Sequence, residues 1–331
     1  MVEFALGMGQ DGIFPGRRVL VTGATGFVGR SLVPRLRHDC DVVAATRRPG
    51  HPDLAVRAVC VGTIDSRTRW DEALAGVDAV VHVAAIAHRG GAFQRESPEI
   101  YREVNALGTL ALAAAAARAG VRDFIFLSSI AVNGASSDRR GPFTEVDLPR
   151  PVGAYALSKA EAERGLEEIA ARSGLACTIV RPPLIYGPAA AGNVALLTKA
   201  LSSNVPLPLA SVSNSRAFLS VDSLADFVAW RLAQSNRGSE TFIVTDRGHL
   251  STPAFIRCLA NAMGLKPRLF GFPPKLLASG LKALGRASMA ESLLSSLEVD
   301  TSRVQKAGWT PPTDTRVGLS LAFGRSGKNS V

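Results

Sequence analysis

Cysteine, aromatic side chains and acidic groups are all scarce in this chain. Its four cysteines, Cys40, Cys60, Cys177 and Cys258 among 331 residues, form no C-x-x-C pair and no His/Cys cluster at ligand spacing. That argues against a disulfide scaffold and a metal site, and it suits a reduced, cytoplasmic compartment. Aromatics at 6% and charged residues at 20%, beside 47% hydrophobic residues, describe an Ala/Val/Leu-rich globule and exclude a disordered or collagen-like chain. Long apolar runs are missing too. Ala79–Ile86 and the alanine block Ala111–Ala117 fall well short of the roughly 20 residues that a bilayer span needs, so no membrane insertion is expected.

Acids number 28 against 38 Lys and Arg, a net charge of +10 that favours anionic partners. The basic residues are scattered as Arg17-Arg18, Arg47-Arg48 and Arg139-Arg140, with no long tract beside aromatics, which argues against nucleic acid. A phosphorylated small molecule would use the same charge. The stretch from Met1 to Gly16 carries acids and no basic segment ahead of an apolar core, so residues 1–16 read as a poorly ordered leader. The Ser/Gly-rich residues 324–331 read as a frayed tail.

From Arg18 onward, short β-branched runs alternate with Ala/Leu-rich stretches. Strands are expected at Arg18–Thr22, Asp41–Thr46, Ala79–Val83, Asp123–Ser128, Cys177–Arg181 and Glu240–Val244. Helices are expected at Gly26–Arg37, Arg69–Ala75, Glu99–Ala119, Ala154–Ser173, Val194–Ser202, Ser223–Gln234 and Thr252–Met263. Continuously apolar strands covered on both faces imply an α/β fold, a Rossmann-type doubly wound parallel sheet. Pro182, Pro183, Pro188, Pro206 and Pro208 interrupt the pattern after Arg181. We therefore expect a nucleotide-binding domain over 17–181 and a smaller, mostly helical substrate-binding lobe over 182–323, with the sheet partly shared.

The first strand runs into Thr22-Gly23-Ala24-Thr25-Gly26-Phe27-Val28-Gly29, where a helix begins at once. Glycines at 23, 26 and 29 allow a sharp turn, close approach to a pyrophosphate and tight packing of helix on sheet, with phosphate on the helix amides. Glycines serving only a tight turn are the alternative. The second strand ends at Thr46-Arg47-Arg48 with no acid at its tip. A carboxylate there would suit an unphosphorylated ribose and arginine a 2′-phosphate, so NADP(H) is preferred and NAD(H) is the alternative. On the other view, Arg47 and Arg48 are a solvated turn. Ile64 and Asp65 lie between the expected strands Asp41–Thr46 and Ala79–Val83, where the carboxylate can accept from adenine. Ala84-Ala85 leave room for backbone to approach the cofactor.

Tyr155 and Lys159 lie four apart on one face of an expected helix. A phenol needs a nearby cation to work as an acid/base at neutral pH, and Lys159 supplies one. Ser128-Ser129 runs off a strand end, where ligands gather in open α/β sheets, and Ser129 lies further toward the mouth. His82 and His88 read as packing or rim residues.

These segments resemble the extended short-chain dehydrogenase/reductases, the NAD-dependent epimerase/dehydratase family that modifies nucleotide sugars. The resemblance covers Arg18 to Pro312. It rests on the glycine loop, His82-Val83-Ala84-Ala85, Asn105 in Val-Asn-Ala-Leu-Gly-Thr, Ser128-Ser129, Tyr155-x-x-x-Lys159, the Arg181–Pro188 segment and the segment from Arg216 to Asp222. It implies Ser129, Tyr155 and Lys159 as the catalytic set and Pro182, Leu184 and Ile185 as the lining on the nicotinamide side. It further implies that Asn193 and Arg216 hold the nucleoside diphosphate, and that the protein is a homodimer built on its two long helices. Leu184 stands where galactose epimerases carry asparagine, and Thr46-Arg47 replace the acid their tightly held NAD requires.

Gly192-Asn193, Pro206-Leu207-Pro208-Leu209 and the Ser296–Pro312 tail resemble a bacterial surface-polysaccharide subgroup. Some members reduce UDP-4-keto-6-deoxy-N-acetylhexosamines and others are UDP-glucose 4-epimerases. Three functions follow: an NADPH-dependent 4-keto reductase, a UDP-hexose 4-epimerase with retained NAD, and a non-catalytic nucleotide-binding scaffold.

Overall fold

The computed structural model describes residues 16–50, 54–87, 97–234 and 238–324. The expected leader (except Gly16), the expected tail beyond Gly324, and His88 lie outside the described residues.

Seven parallel strands form one sheet in the order β3-β2-β1-β4-β5-β6-β9. They are β1 (Arg18–Thr22), β2 (Asp41–Thr46), β3 (Arg57–Cys60), β4 (Ala79–His82), β5 (Asp123–Leu127), β6 (Ala176–Arg181) and β9 (Glu240–Ile243). A separate pair joins β7 (Leu184–Tyr186) to β8 (Phe218–Ser220). Chain order reverses between β1 and β4, and such a switch point opens a crevice at the carboxyl ends of the strands. Register brings Thr22 opposite both Ala45 and His82 at that edge. The last sheet strand, β9, comes from the C-terminal half, so the sheet is shared across the proline-rich break.

Helices cover both faces, and strand alternation decides which residue meets which layer. They are α1 (Phe27–Leu36), α2 (Pro98–Tyr101), α3 (Gly108–Arg118), α4 (Ala154–Ser173), α5 (Asn193–Ser202), α6 (Val221–Ala233), α7 (Thr252–Ala262), α8 (Pro274–Ala283), α9 (Ala287–Leu294), α10 (Ser302–Lys306) and α11 (Thr315–Phe323). Val19 and Val21 pack with Leu32 and Leu36 of α1 and with Leu224 and Phe227 of α6. Leu20 and Val80 point to the other face, against Leu112 and Ala116 of α3 and Leu166 of α4. A third cluster lies under the C-terminal lobe, where Tyr186, Phe218, Phe255 and Leu319 meet.

Two expected helices differ. Arg69–Ala75 is a set of turns in which Leu74 N–H reaches Trp70 O at 2.9 Å. Seven residues are too few to offset helix nucleation, and burial of Trp70, Ala73 and Leu74 holds the turns instead. The stretch Glu99–Ala119 is not one regular helix, because Arg102–Leu107 forms a π-helical turn between α2 and α3. Such turns recur at functional sites, and this one carries the buried Asn105.

Candidate active site

The crevice at the β1/β4 switch is walled by backbone. Gly23 has φ +69°, and a Cβ there would lie 2.8 Å from Ala84 N, so only glycine permits this contact between the two strand ends. At Gly29 a Cβ would lie 2.3 Å from Gly23 O and 2.5 Å from Ala24 Cα, which seats α1 directly on the loop. Helix α1 has Gly26 at its N-cap, no side-chain cap and no acid in its first turn. Its leading amides therefore face the loop without an internal partner, the donor set an anionic phosphate needs. These features fit a dinucleotide.

Gly29→Ala should press a methyl group into backbone that cannot yield. We expect a loss of about 2 kcal/mol or more in urea unfolding together with loss of dinucleotide binding by fluorescence titration.

Around this loop the other expected residues fall as follows. Thr25 O accepts from Arg30 Nε at 3.0 Å. Phe27 reaches across to Gly187, where a Cβ would lie 3.4 Å from its ring, and so joins α1 to the segment holding Pro182, Leu184 and Ile185. Val28 packs on the first core cluster. Thr46 is buried at the tip of β2, and Arg47 and Arg48 are exposed beyond it with no carboxylate in the turn. Ile64 and Asp65 lie against Gly108 at the start of α3. One Asp65 oxygen already accepts from Arg67 N–H at 2.8 Å. Ala84 is half-buried and Ala85 exposed.

The floor of the crevice is held by His82 and Asn105. Thr109 donates its hydroxyl proton to Asn105 O at 2.8 Å, so it accepts from His82 Nε2 at 2.8 Å. His82 Nδ1 is then the acceptor for Thr22 Oγ1 at 2.7 Å, and Thr22 Oγ1 in turn accepts from Ala84 N–H at 3.3 Å. One tautomer satisfies every bond. Burial, with the Lys159 charge in the same direction, pushes His82 down to about 3, so the ring is neutral at physiological pH. Asn105 clamps Ile86 through both backbone groups, at 2.8 and 2.9 Å, and reaches Ser158 Oγ at 3.1 Å.

Ser129, Tyr155 and Lys159 come together at the end of β5. The N-cap Gly153, with φ 85°, turns the chain into α4, and Tyr155 and Lys159 follow one turn apart. The Tyr155 and Ser129 hydroxyls are hydrogen-bonded. Burial pushes the phenol up to about 12, the Ser129 bond opposes this, and Tyr101, whose ring meets Tyr155 edge-on at 6.5 Å, adds to it. Lys159 is 2% exposed; its Nζ donates to Leu127 O at 2.8 Å and stands 4.5 Å above the Phe126 ring. Burial lowers it to about 7, with Glu163 working against the shift.

The neighbouring serine has a different partner. Ser128 is buried and donates to Glu163, whose carboxylate also takes three contacts from Arg181 at 2.6 to 3.1 Å. Arg181 completes its fork on Asn133 Oδ1 at 3.1 Å. Asn193 and Arg216 lie elsewhere, both tied to the end of α9. Asn193 donates to Ser292 Oγ at 2.9 Å and Arg216 to Ser295 O at 2.6 Å. Burial lowers Arg216 to about 10, and Asp138 and Glu291 oppose it.

Sequence reasoning took His82 for packing and passed over Glu163 and Thr109. Their partners lie 18 to 60 residues away in the chain, and no local pattern announces them. A polar stripe within α4, Ser158-Lys159 and Glu163, was the available signal.

Residues 19–244 match the family model described as NAD dependent epimerase/dehydratase family. The chain is 35% identical over 309 residues to UDP-glucose 4-epimerase from Vibrio cholerae, covering 92% of this chain and 93% of that one. It is 34% identical to ceramide reductase from Caulobacter vibrioides, over 79% of this chain and 76% of the other. Among solved structures it resembles MoeE5 in complex with UDP-glucose and NAD, with TM-score 0.74 and 28% identity, covering 92% and 97% of the two chains. With its glycine loop, switch-point crevice and hydroxyl-lined strand end, this chain belongs to the NAD-dependent epimerase/dehydratase family of enzymes.

Proposed function

We propose that the protein reduces the 4-keto group of a UDP-4-keto-6-deoxy-(N-acetyl)hexosamine with NADPH, in the cytoplasm, as a step of surface-polysaccharide synthesis. The observation that carries this reading is the tip of β2. Arg47 and Arg48 stand exposed where a retained NAD would need a carboxylate, and they complement a 2′-phosphate instead. Gly23, Thr25, Gly26, Phe27, Val28 and Gly29 would hold the pyrophosphate; Ile64, Asp65, Ala84 and Ala85 would flank the adenosine half. Pro182, Leu184 and Ile185 would line the nicotinamide side. Bound there, the cofactor supplies the hydride.

The chain's own groups handle the proton. With its phenol held well above neutral, Tyr155 carries the proton to be donated to the C4 oxygen. Ser129 shares that oxygen, and Lys159 is the cation placed to offset the developing phenolate. Arg216 and Asn193 would hold the diphosphate, Arg216 by charge-assisted bonds. Because Lys159 titrates near 7, its charge is present below that pH and lost above it. The kcat of reduction should therefore decline as pH rises through about 7, whereas the residual rate of Lys159→Arg, whose guanidinium stays charged, shows no such limb.

Michaelis constants for both cofactors test the reading. A lower constant for NADPH is expected, and a clear preference for NADH would overturn it. A second reading, UDP-hexose 4-epimerase with retained NAD, is favoured by the 35% identity to the Vibrio cholerae UDP-glucose 4-epimerase. Protein purified with NAD still bound would support that reading; an exchangeable NADPH site would support reduction. The proposal includes a homodimer through α3 and α4, and light scattering that returned a monomeric mass would remove this part of it.

A further inference from the structure

We propose that the outer face of α8, with the ridge leading into it, is a docking surface for an anionic lipid bilayer. From Arg247 to Ala290 the sequence contains no Asp or Glu, while Arg247, Arg257, Lys266, Arg268, Lys275, Lys282 and Arg286 carry positive charge. All seven side chains are exposed, and none pairs with a carboxylate among the described residues. The same stretch exposes large apolar groups: Phe270 at 46%, Phe272 at 38%, Leu276 at 61% and Leu284 at 73%.

Helix α8 buries none of its residues fully. Leu277 packs toward the lobe's apolar cluster, which turns Leu276 and Gly280 outward with Leu284 just beyond the last turn. Lys275 and Lys282 lie seven apart beside that stripe, where their stems can extend along apolar surface and their ammonium groups rise to a phosphate layer. The ridge before the helix is pinned by its backbone: Phe270 N–H donates to Leu207 O and Ala210 N–H to Phe270 O, each at 3.1 Å. The aromatic side chains are thus presented from a fixed backbone.

A shallow apolar stripe flanked by unpaired cations matches the chemistry of acidic headgroups over an acyl boundary. A second copy of the chain fits less well, since a two-fold contact through α8 would set Lys275 and Lys282 against cations of their own sign. None of the residues invoked here is among those assigned to the reaction above, so the inference does not depend on it.

Full-length protein sedimented with vesicles of equal parts phosphatidylglycerol and phosphatidylcholine tests this. Binding to these vesicles is expected, with little to pure phosphatidylcholine, weakening as salt is raised. Lys275→Gln with Lys282→Gln should cut partitioning roughly 25-fold, at about fivefold per cation. Leu276→Ser with Leu284→Ser keeps every charge and should cost roughly tenfold or more. These positions are exposed, so thermal unfolding should be unchanged. Absence of binding, equal binding to neutral vesicles, indifference to the leucine pair, or assembly of the protein through α8 would each overturn the proposal.

Discussion

Tyr155→Phe is expected to lower turnover roughly a thousandfold, the scale of a lost general acid, while dinucleotide binding stays within about twofold of the parent. The variant removes one oxygen. The ring keeps its edge-on contact with Tyr101, and Ser129 keeps its bond from Ala131 N–H at 3.2 Å, so the fold has little to lose. Net stability should change by about 1 kcal/mol or less, the usual size of a single partly exposed hydrogen bond. Steady-state rates on the reducible sugar, read beside a cofactor titration, check both halves. A variant of parental activity would take the tyrosine out of the chemistry.

Arg181→Met should be the most destabilising single change near the site. Arg181 and Glu163 have side chains 6% and 5% exposed, and the carboxylate takes its guanidinium contacts from this one arginine. Methionine fills much of the space but leaves a buried carboxylate whose remaining hydrogen bond among the described residues comes from the Ser128 hydroxyl. Breaking a buried pair from one side typically costs about 3–5 kcal/mol, whereas removing both charges leaves no orphan. Urea unfolding of Arg181→Met should show a loss of that size, and the double variant Arg181→Met with Glu163→Gln should recover a good part of it. Full additivity of the two single changes would mean that the pair is not energetically coupled.

The consequence reaches the active site through Ser128. Its hydroxyl is committed to Glu163, and its backbone N–H to Val180 O at 2.8 Å, so the strand end is fixed just before Ser129 emerges. The ion pair is thus a footing beneath the serine that faces the crevice.

Much of the sheet was legible in the sequence because its central strands are buried on both faces and read as unbroken apolar runs. AVVH of β4 and FIFL of β5 are of this kind. Strand β3 was not legible, since its Arg-Ala-Val-Cys buries only Val59 and lies at the sheet edge. The three-residue strands β7 and β8 span little more than one repeat of the two-residue strand alternation, too little to stand out as a pattern. The π turn was equally hidden, because Arg-Glu-Val-Asn-Ala-Leu suits an ordinary helix; the Asn105 clamp on Ile86 accompanies the widened turn.

In the site, the glycine loop and the Tyr155/Lys159 spacing were visible because local geometry dictates them. The hydrogen-bonded chain from Ala84 through Thr22, His82 and Thr109 to Asn105 was not, because it is assembled from β1, β4, the π turn and α3. It explains why a histidine sits fully buried beside a lysine: with both ring nitrogens bonded and the ring neutral, it adds no charge against Lys159.

Reduction at C4 is tested most directly by following the hydride. The protein would be incubated with a UDP-4-keto-6-deoxy-N-acetylhexosamine and NADPH carrying deuterium at the transferable position, and the sugar examined by NMR. Deuterium bound to sugar C4, with one NADPH consumed per product, is the predicted result. A keto sugar left unreduced, while a UDP-hexose supplied in its place is inverted at C4 with no net cofactor consumption and no label in the sugar, would contradict it and make the enzyme an epimerase.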